Sequence, residues 1–190
     1  MKKNPRHPVN QDWRELLCLG EELLDYQSSD SQAQFFQRII QQRLNSSCEV
    51  WFSGEFYPLP GDSTLTTLPN FTAPRLVQES FSQRKPLIET SGEILTYSTQ
   101  NNPTQVAFPF STAQDLFGIL LVNREPGFSC EELEFLEGFC AHSAVALQVV
   151  TQAVIKNWRF EQLALVRSVS RNIQNQHDVD QLCRDRKSVV

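Results

Sequence analysis

The clearest hydrophobic pattern lies near the middle of the chain. Residues 106–110 and 116–122 form two apolar runs, and a short polar connection at 111–115 separates them. Runs of this length, rich in β-branched and aromatic residues, predict two buried strands joined in a hairpin. Pro109 cannot donate a ladder hydrogen bond and indicates a bulge or an edge-facing amide, while Gly118 marks a close approach of the closing helix or a ligand.

The residues before this hairpin alternate between helical and strand patterns. Apolar residues at helical spacing in 13–24 and 35–44 predict two amphipathic helices, the second with Asp30 as its N-cap. Residues 50–52 and 56–59 predict a β-hairpin that ends at 60–61. A third helix is predicted over 73–83, followed by short strands at 86–89 and 94–97.

A long helix is predicted after the central hairpin. Ser129 and Glu132 have capping-box spacing, and no proline or strong breaker follows them. Apolar residues then recur at three- and four-residue spacing for up to about 45 residues. Because one small domain cannot bury a helix of that length, its far half is expected to pack against another chain or against a missing segment. The hypothesis is a dimer of two copies of the chain. The residues expected at this dimer contact are Leu147, Val150, Val154, Trp158, Leu165, Val169 and Ile173.

The end of the chain resembles its beginning when the sequence is shifted by 146 positions. The shift aligns Glu15, Leu17, Leu19 and Leu23 with Glu161, Leu163, Leu165 and Val169. Residues 151–190 are therefore interpreted as a linker helix that also begins a second, similar domain. A chance similarity between two amphipathic helices is the alternative.

Composition narrows the class of protein. The chain has 190 residues, 40% of them hydrophobic, and a net charge of −5 without a basic patch, which argues against nucleic acid as a partner. No apolar run approaches the roughly 20 residues of a membrane span, and no secretory signal is visible. Five scattered cysteines without a CxxC pair suit reduced thiols in a cytoplasmic protein. Cys140 and His142 stand two apart, which places them on different sides of a helix and argues against a metal site.

The order of the elements resembles a GAF domain over about residues 13–150, with 1–12 as an extended or disordered tail. The segments that carry the resemblance are Phe108-Pro109-Phe110, residues 117–122, Phe128-Ser129 with Glu132, and the alanines at 141, 144 and 146. The resemblance implies an α+β fold: an antiparallel sheet of five or six strands, helices on one face, a pocket on the other and a long C-terminal helix. The similar PAS fold is the alternative.

Ligand classes known in the GAF family can be compared with these residues. Asn123, Arg124, Phe128, Glu131 and Glu132 match the nucleotide-binding arrangement only loosely. No Cys-His pair is present for a bilin.

The family's cysteine and haem chemistry also lacks its residues. Cys48 and Cys130 do not stand in the motif of the methionine sulfoxide reductases, and His7, His142 and His177 fall outside the expected pocket. No cofactor is identified. Catalytic motifs are also missing, so an enzyme is not expected.

The resemblance implies a sensory or regulatory module of a cytoplasmic signalling protein. The module would bind a small ligand or a partner and signal through a dimeric helix to an output domain such as a histidine kinase, a cyclase or a phosphatase. A structural dimerisation module without a ligand is the alternative. Most aromatic residues are expected in the core. The candidate ligand-binding residues are Trp51, Phe56, Phe81, Tyr97, Phe108 and Phe110.

Overall fold

The computed structural model describes residues 9–26, 28–54, 67–70, 72–90, 92–97 and 103–187. Four helices and six strands occur in this part of the chain. The helices are α1 (Val9–Leu23), α2 (Ser29–Leu44), α3 (Arg75–Gln83) and α4 (Cys130–Lys187). The strands are β1 (Ser47–Ser53), β2 (Thr67–Leu68), β3 (Leu87–Thr90), β4 (Glu93–Thr96), β5 (Gln105–Ser111) and β6 (Leu116–Asn123).

The six strands form one sheet in the order β2-β1-β6-β5-β3-β4. The predicted central hairpin is confirmed as β5 and β6, which pair antiparallel with a register shift between Phe110 and Ser111. β3 pairs with β5 only as far as Ala107, so Pro109 costs no hydrogen bond to β3. The predicted α+β fold with an antiparallel sheet is confirmed, with β2 as a parallel edge strand.

Both faces of the sheet are covered. On the helix-layer face, side chains of α1, α2 and α4 pack on residues such as Val50, Phe52 and Leu120. On the α3 face, Leu76 and Val77 of α3 are buried with other apolar side chains. That second cluster contains Trp51, Leu68, Ala73, Leu76, Val77, Leu87, Ala107, Leu116, Ile119 and Leu121. The expectation that all helices lie on one face is therefore wrong for α3. This helix packs its apolar side chains on the opposite face of the sheet.

Helix ends follow local hydrogen bonding. Ser28, and not the predicted Asp30, is the N-cap of α2, because Ser28 and Ser31 form a reciprocal capping box. Asn45 ends α2 in the left-handed conformation. At α4 the predicted capping box is confirmed: the Ser129 amide donates to Glu132 Oε2 at 2.8 Å, and the Glu132 amide donates to Ser129 Oγ at 3.4 Å.

Two predicted segments lie partly outside the described residues. β1 pairs in parallel with β2 at Phe52 and Ser53, whereas the predicted hairpin partner at 56–59 is not described. Helix α1 begins at Val9, inside the segment predicted as a tail, and residues 1–8 are not described.

Helix α4 belongs to two parts of the molecule. The chain divides into one compact unit at Met1–Thr151 and another at Gln152–Val190. Within the described residues, the stretch Cys130–Arg171 is long and apolar enough to cross a membrane, but 44% of its most apolar window is buried inside the protein. A helix that packs in a protein core meets the same criterion.

Gly118 is held against a neighbouring strand. A Cβ atom at this position would lie 2.5 Å from the Trp51 carbonyl oxygen and 3.1 Å from Phe52 Cα. The prediction that a helix or a ligand approaches Gly118 is therefore wrong, because β1 occupies that space. The glycine allows β1 and β6 to pair closely at the centre of the sheet.

We expect Gly118→Ala to lower the free energy of unfolding by about 2–4 kcal/mol, because backbone atoms of β1 must move to admit the methyl group. Urea denaturation measures this change. Gly20→Ala in α1 is the matched control: a Cβ atom there meets nothing within 4 Å, and alanine favours the helix. Equal stability of the Gly118→Ala variant and the wild type would contradict the contact.

Candidate functional site

Of the six aromatic residues predicted to bind a ligand, the five that the structure describes do not lie together. Trp51 is buried on the α3 face, and Phe81 is partly buried against the same cluster. Phe108 and Phe110 are buried on the helix-layer face, where Tyr97 is partly buried. Phe56 lies outside the described residues. These side chains do not line one common pocket, and contact of any of them with a ligand stays a prediction.

The aromatic residues on the helix-layer face contact one another and the helices. The Phe110 ring stacks on Phe36 of α2 with centroids 4.6 Å apart, and Phe36 meets Phe139 of α4 edge-on at 5.8 Å. Tyr97 packs edge-on against Phe108 at 5.7 Å. Because Phe36, Phe108, Phe110 and Phe139 are at most 1% exposed, this group is part of the hydrophobic core.

Among the described residues, the α3 face is a candidate for a ligand site. Its apolar end lies under α3 and contains Trp51, whose indole Nε1 donates to Glu49 Oε2 at 3.3 Å. The other end is polar, with a 2.6 Å hydrogen bond from Gln105 Nε2 to Asn123 Oδ1. A groove of about 640 Å³ opens beside this pair. It is lined by Ser47, Glu89, Gly92, Thr104, Gln105, Asn123, Arg124 and Glu125.

Arg124 lies at the centre of a cluster of polar contacts. Its guanidinium donates to both carboxylate oxygens of Glu132, at 2.6 Å and 2.5 Å. Nε donates to the Gly127 carbonyl at 2.9 Å, and Nη1 donates to the Leu44 carbonyl at 3.2 Å. The group also lies 4.7 Å from the centroid of the Phe128 ring. Arg124 therefore joins the end of α2, the turn after β6 and the first turn of α4.

These contacts change the protonation of Glu132. The hydrogen bond from Arg124 lowers the pKa of the Glu132 carboxyl to about 2, and the Ser129 amide acts in the same direction. The same ion pair raises the pKa of Arg124. The residues that loosely matched a nucleotide motif thus hold each other, which supports a structural role for Arg124 and Glu132.

The cysteines and histidines offer little chemistry in the described part of the chain. No group of three or more His, Cys, Asp or Glu that could hold a metal occurs among the residues searched. Cys48 and Cys140 are buried, and burial raises the pKa of the Cys48 thiol to about 12, so Cys48 is a poor nucleophile at neutral pH. Cys130 is exposed at the first residue of α4.

The sequence did not predict that Arg124 would contact both Glu132 and the end of α2. The capping box of Ser129 and Glu132 was visible, and a basic residue eight positions before Glu132 was available to pair with it. The contact with the Leu44 carbonyl joins residues 80 positions apart and leaves no local signal.

We expect the Glu132→Gln variant to be less stable than the wild type by about 1–2 kcal/mol near neutral pH. The pKa of Glu132 is depressed by folding, so its contribution is present above the unfolded pKa near 4.5 and disappears as the pH falls toward about 2. Urea denaturation at several pH values between about 7 and 3 should show the two proteins converging.

Glu131→Gln is the control, because Glu131 is exposed in the same helical turn. A stability difference for Glu132→Gln that does not change with pH would contradict the ion pair.

Comparison with known proteins bears on the fold. No family model matches the chain, and no curated protein matches it. Among the solved structures that match is the GAF domain of the potassium sensor histidine kinase KdpD from Escherichia coli, with 17% sequence identity and a TM-score of 0.52. The match covers 74% of this chain and 96% of that chain. Together with the sheet order and the long closing helix, this similarity shows that the chain has a GAF-like fold.

Proposed function

We propose that the chain is a regulatory module of a cytoplasmic signalling protein, and that it transmits a signal through α4 without catalysing a reaction itself. The observation that carries the proposal is a GAF-like domain whose closing helix continues past the domain at Thr151. A similar domain occurs in a sensor histidine kinase. An output domain of the kinase, cyclase or phosphatase type would receive the signal.

Beyond Thr151, α4 carries an exposed apolar surface, which we call the α4 stripe. Its members lie on one side of the helix, three, four or seven residues apart except for the adjacent pair Leu165 and Val166. They are Ile155, Trp158, Leu165, Val166, Val169 and Ile173, and each is at least 37% exposed. Several large apolar side chains next to water on one helix indicate a protein contact. An apolar side of this kind on a long helix supports a coiled coil, which we propose forms between two copies of the chain.

The dimer proposal uses only part of the set predicted from sequence. Trp158, Leu165, Val169 and Ile173 remain in it. Leu147 is 0% exposed and Val150 is 5% exposed, because both pack inside the domain, so neither is available to a second chain. Val154 is half-buried and lies at the edge of the surface.

The alternative is that the α4 stripe packs inside a second domain of a longer chain. The shift by 146 positions places Leu165 opposite the partly buried Leu19 and Val169 opposite the buried Leu23, so the same side of α4 would face a second sheet. Two observations favour the dimer. Trp158 of the stripe aligns with the polar Asp12 of α1. Gln162 also stands opposite the buried Leu16.

The α3 face is the proposed place of a small apolar or aromatic ligand, with Trp51 and Phe81 as its contacts. Ligand sites are mostly apolar with a few polar groups, and this face has an apolar end under α3 and a polar end at Gln105 and Asn123. The alternative is a dimerisation module without a ligand. Close packing of Leu76, Val77 and their neighbours on this face favours that alternative.

We expect Leu165→Glu to shift the chain from dimer to monomer, because it places a charge in the helix contact, with the dissociation constant rising at least about tenfold. Sedimentation velocity across a concentration series measures the change. Ala164→Glu is the matched control, since Ala164 is also exposed on α4 and stands opposite Ile155 and Ile173 on the helix. A wild-type chain that stays monomeric at high concentration would contradict the dimer.

Native mass spectrometry tests the ligand. We expect the purified chain to carry an additional small mass that is lost on denaturation. Repeated preparations without such a mass, from cells grown under different conditions, would favour the dimerisation module. The sedimentation result is independent of this outcome, because the α4 stripe lies outside the α3 face.

A further inference from the structure

The turn between β5 and β6 is internally closed and lies at one end of the sheet. The Thr112 amide donates to the Asp115 carbonyl at 2.9 Å, and the Asp115 amide donates to Thr112 Oγ1 at 3.1 Å. The register shift between Phe110 and Ser111 comes directly before it. Residues 111–115, which we call the bridging turn, therefore form a defined unit and not a loose connection.

On one side the bridging turn is bonded to α3. Arg84, the C-cap of α3, adopts the left-handed conformation with φ of 53°, and its Nη1 donates to the Gln114 carbonyl at 3.2 Å. The end of α3 is also fixed by the Ser80 hydroxyl, which donates to the Lys85 carbonyl at 2.8 Å. A displacement of α3 along the sheet would thus pull on the turn through Arg84.

On the other side the bridging turn meets α4. Gln148 Nε2 donates to Asp115 Oδ2 at 3.5 Å. Gln148 lies one turn before Thr151, the last residue of the first compact unit. The side chain of Gln148 therefore contacts the bridging turn close to the point where α4 leaves the domain.

We propose that the bridging turn couples the position of α3 to the order of α4 at its exit from the domain. The two helices lie on opposite faces of the sheet, so they do not contact each other through the strands. The turn is bonded to both through Arg84 and Gln148, which act as positioning residues. The direction of the signal, from the α3 face to α4, rests on the proposed function. The mechanical coupling can be tested without a ligand.

Hydrogen–deuterium exchange of the intact chain, read by mass spectrometry, tests the coupling. Arg84→Asn removes the guanidinium while asparagine tolerates the left-handed conformation. We expect amides in the bridging turn and at 148–156 of α4 to exchange about threefold to tenfold faster, as for loss of one hydrogen bond. We expect Gln148→Ala to accelerate 148–156 as well, although alanine alone would strengthen the helix.

The double variant separates coupling from simple destabilisation. If both side chains act through one turn, Arg84→Asn adds little to Gln148→Ala at 148–156, whereas independent effects add. Glu79→Ala is the control on α3, because it removes only the surface ion pair with Arg75. Gln152→Ala is the control on α4, since Gln152 is exposed one turn later.

Three results would overturn the coupling: faster exchange confined to α3 and the turn, additive effects in the double variant, or equal acceleration of all amides, including those of β6. None of them would alter the expected sedimentation of the Leu165→Glu variant. The coupling and the proposed dimer can therefore fail separately.

Discussion

Burial of β5 and β6 on both faces constrains the arrangement of the other elements. Every residue from Leu116 to Val122 is buried, so each face of β6 needs its own cover. The helix layer covers one face with the stacked rings of Phe36 and Phe110, and α3 covers the other at Ile119. At about 1.5–3 kcal/mol for each large apolar side chain removed from water, these contacts dominate the stability of the domain. The close pairing of β1 at Gly118 extends the covered sheet.

Helix α4 depends on this core at its start and leaves it at Thr151. Arg124 anchors the first turn by joining Glu132 to the end of α2, and Gln148 contacts the bridging turn near the exit. Between these points the inward side of the helix is buried. Beyond them its apolar residues face water. In the proposed function, a partner on this exposed part would carry a change in packing at the bridging turn beyond the domain.

A solved GAF domain shares the fold of this chain at 17% sequence identity. Such a likeness arises because packing requirements at the strands and the closing helix can be met by many apolar sequences. The residues of a binding site are not required by packing and differ freely between members of a fold. The chemistry of the α3 face therefore depends on its own side chains, with Trp51 at one end and Gln105 at the other.

Local signals in the sequence determined the central hairpin, the α4 capping box and the long helix, because each depends on residues close together in the chain. Because side chains alternate between the two faces of a strand, Phe108 and Phe110 share a face once β5 forms, but the sequence did not decide which layer covers them. Only the tertiary structure decided that Trp51 lies on the opposite face, and that Arg124 reaches the Leu44 carbonyl. Such contacts join residues far apart in the chain, and their geometry exists only once the sheet and both of its covering layers have assembled.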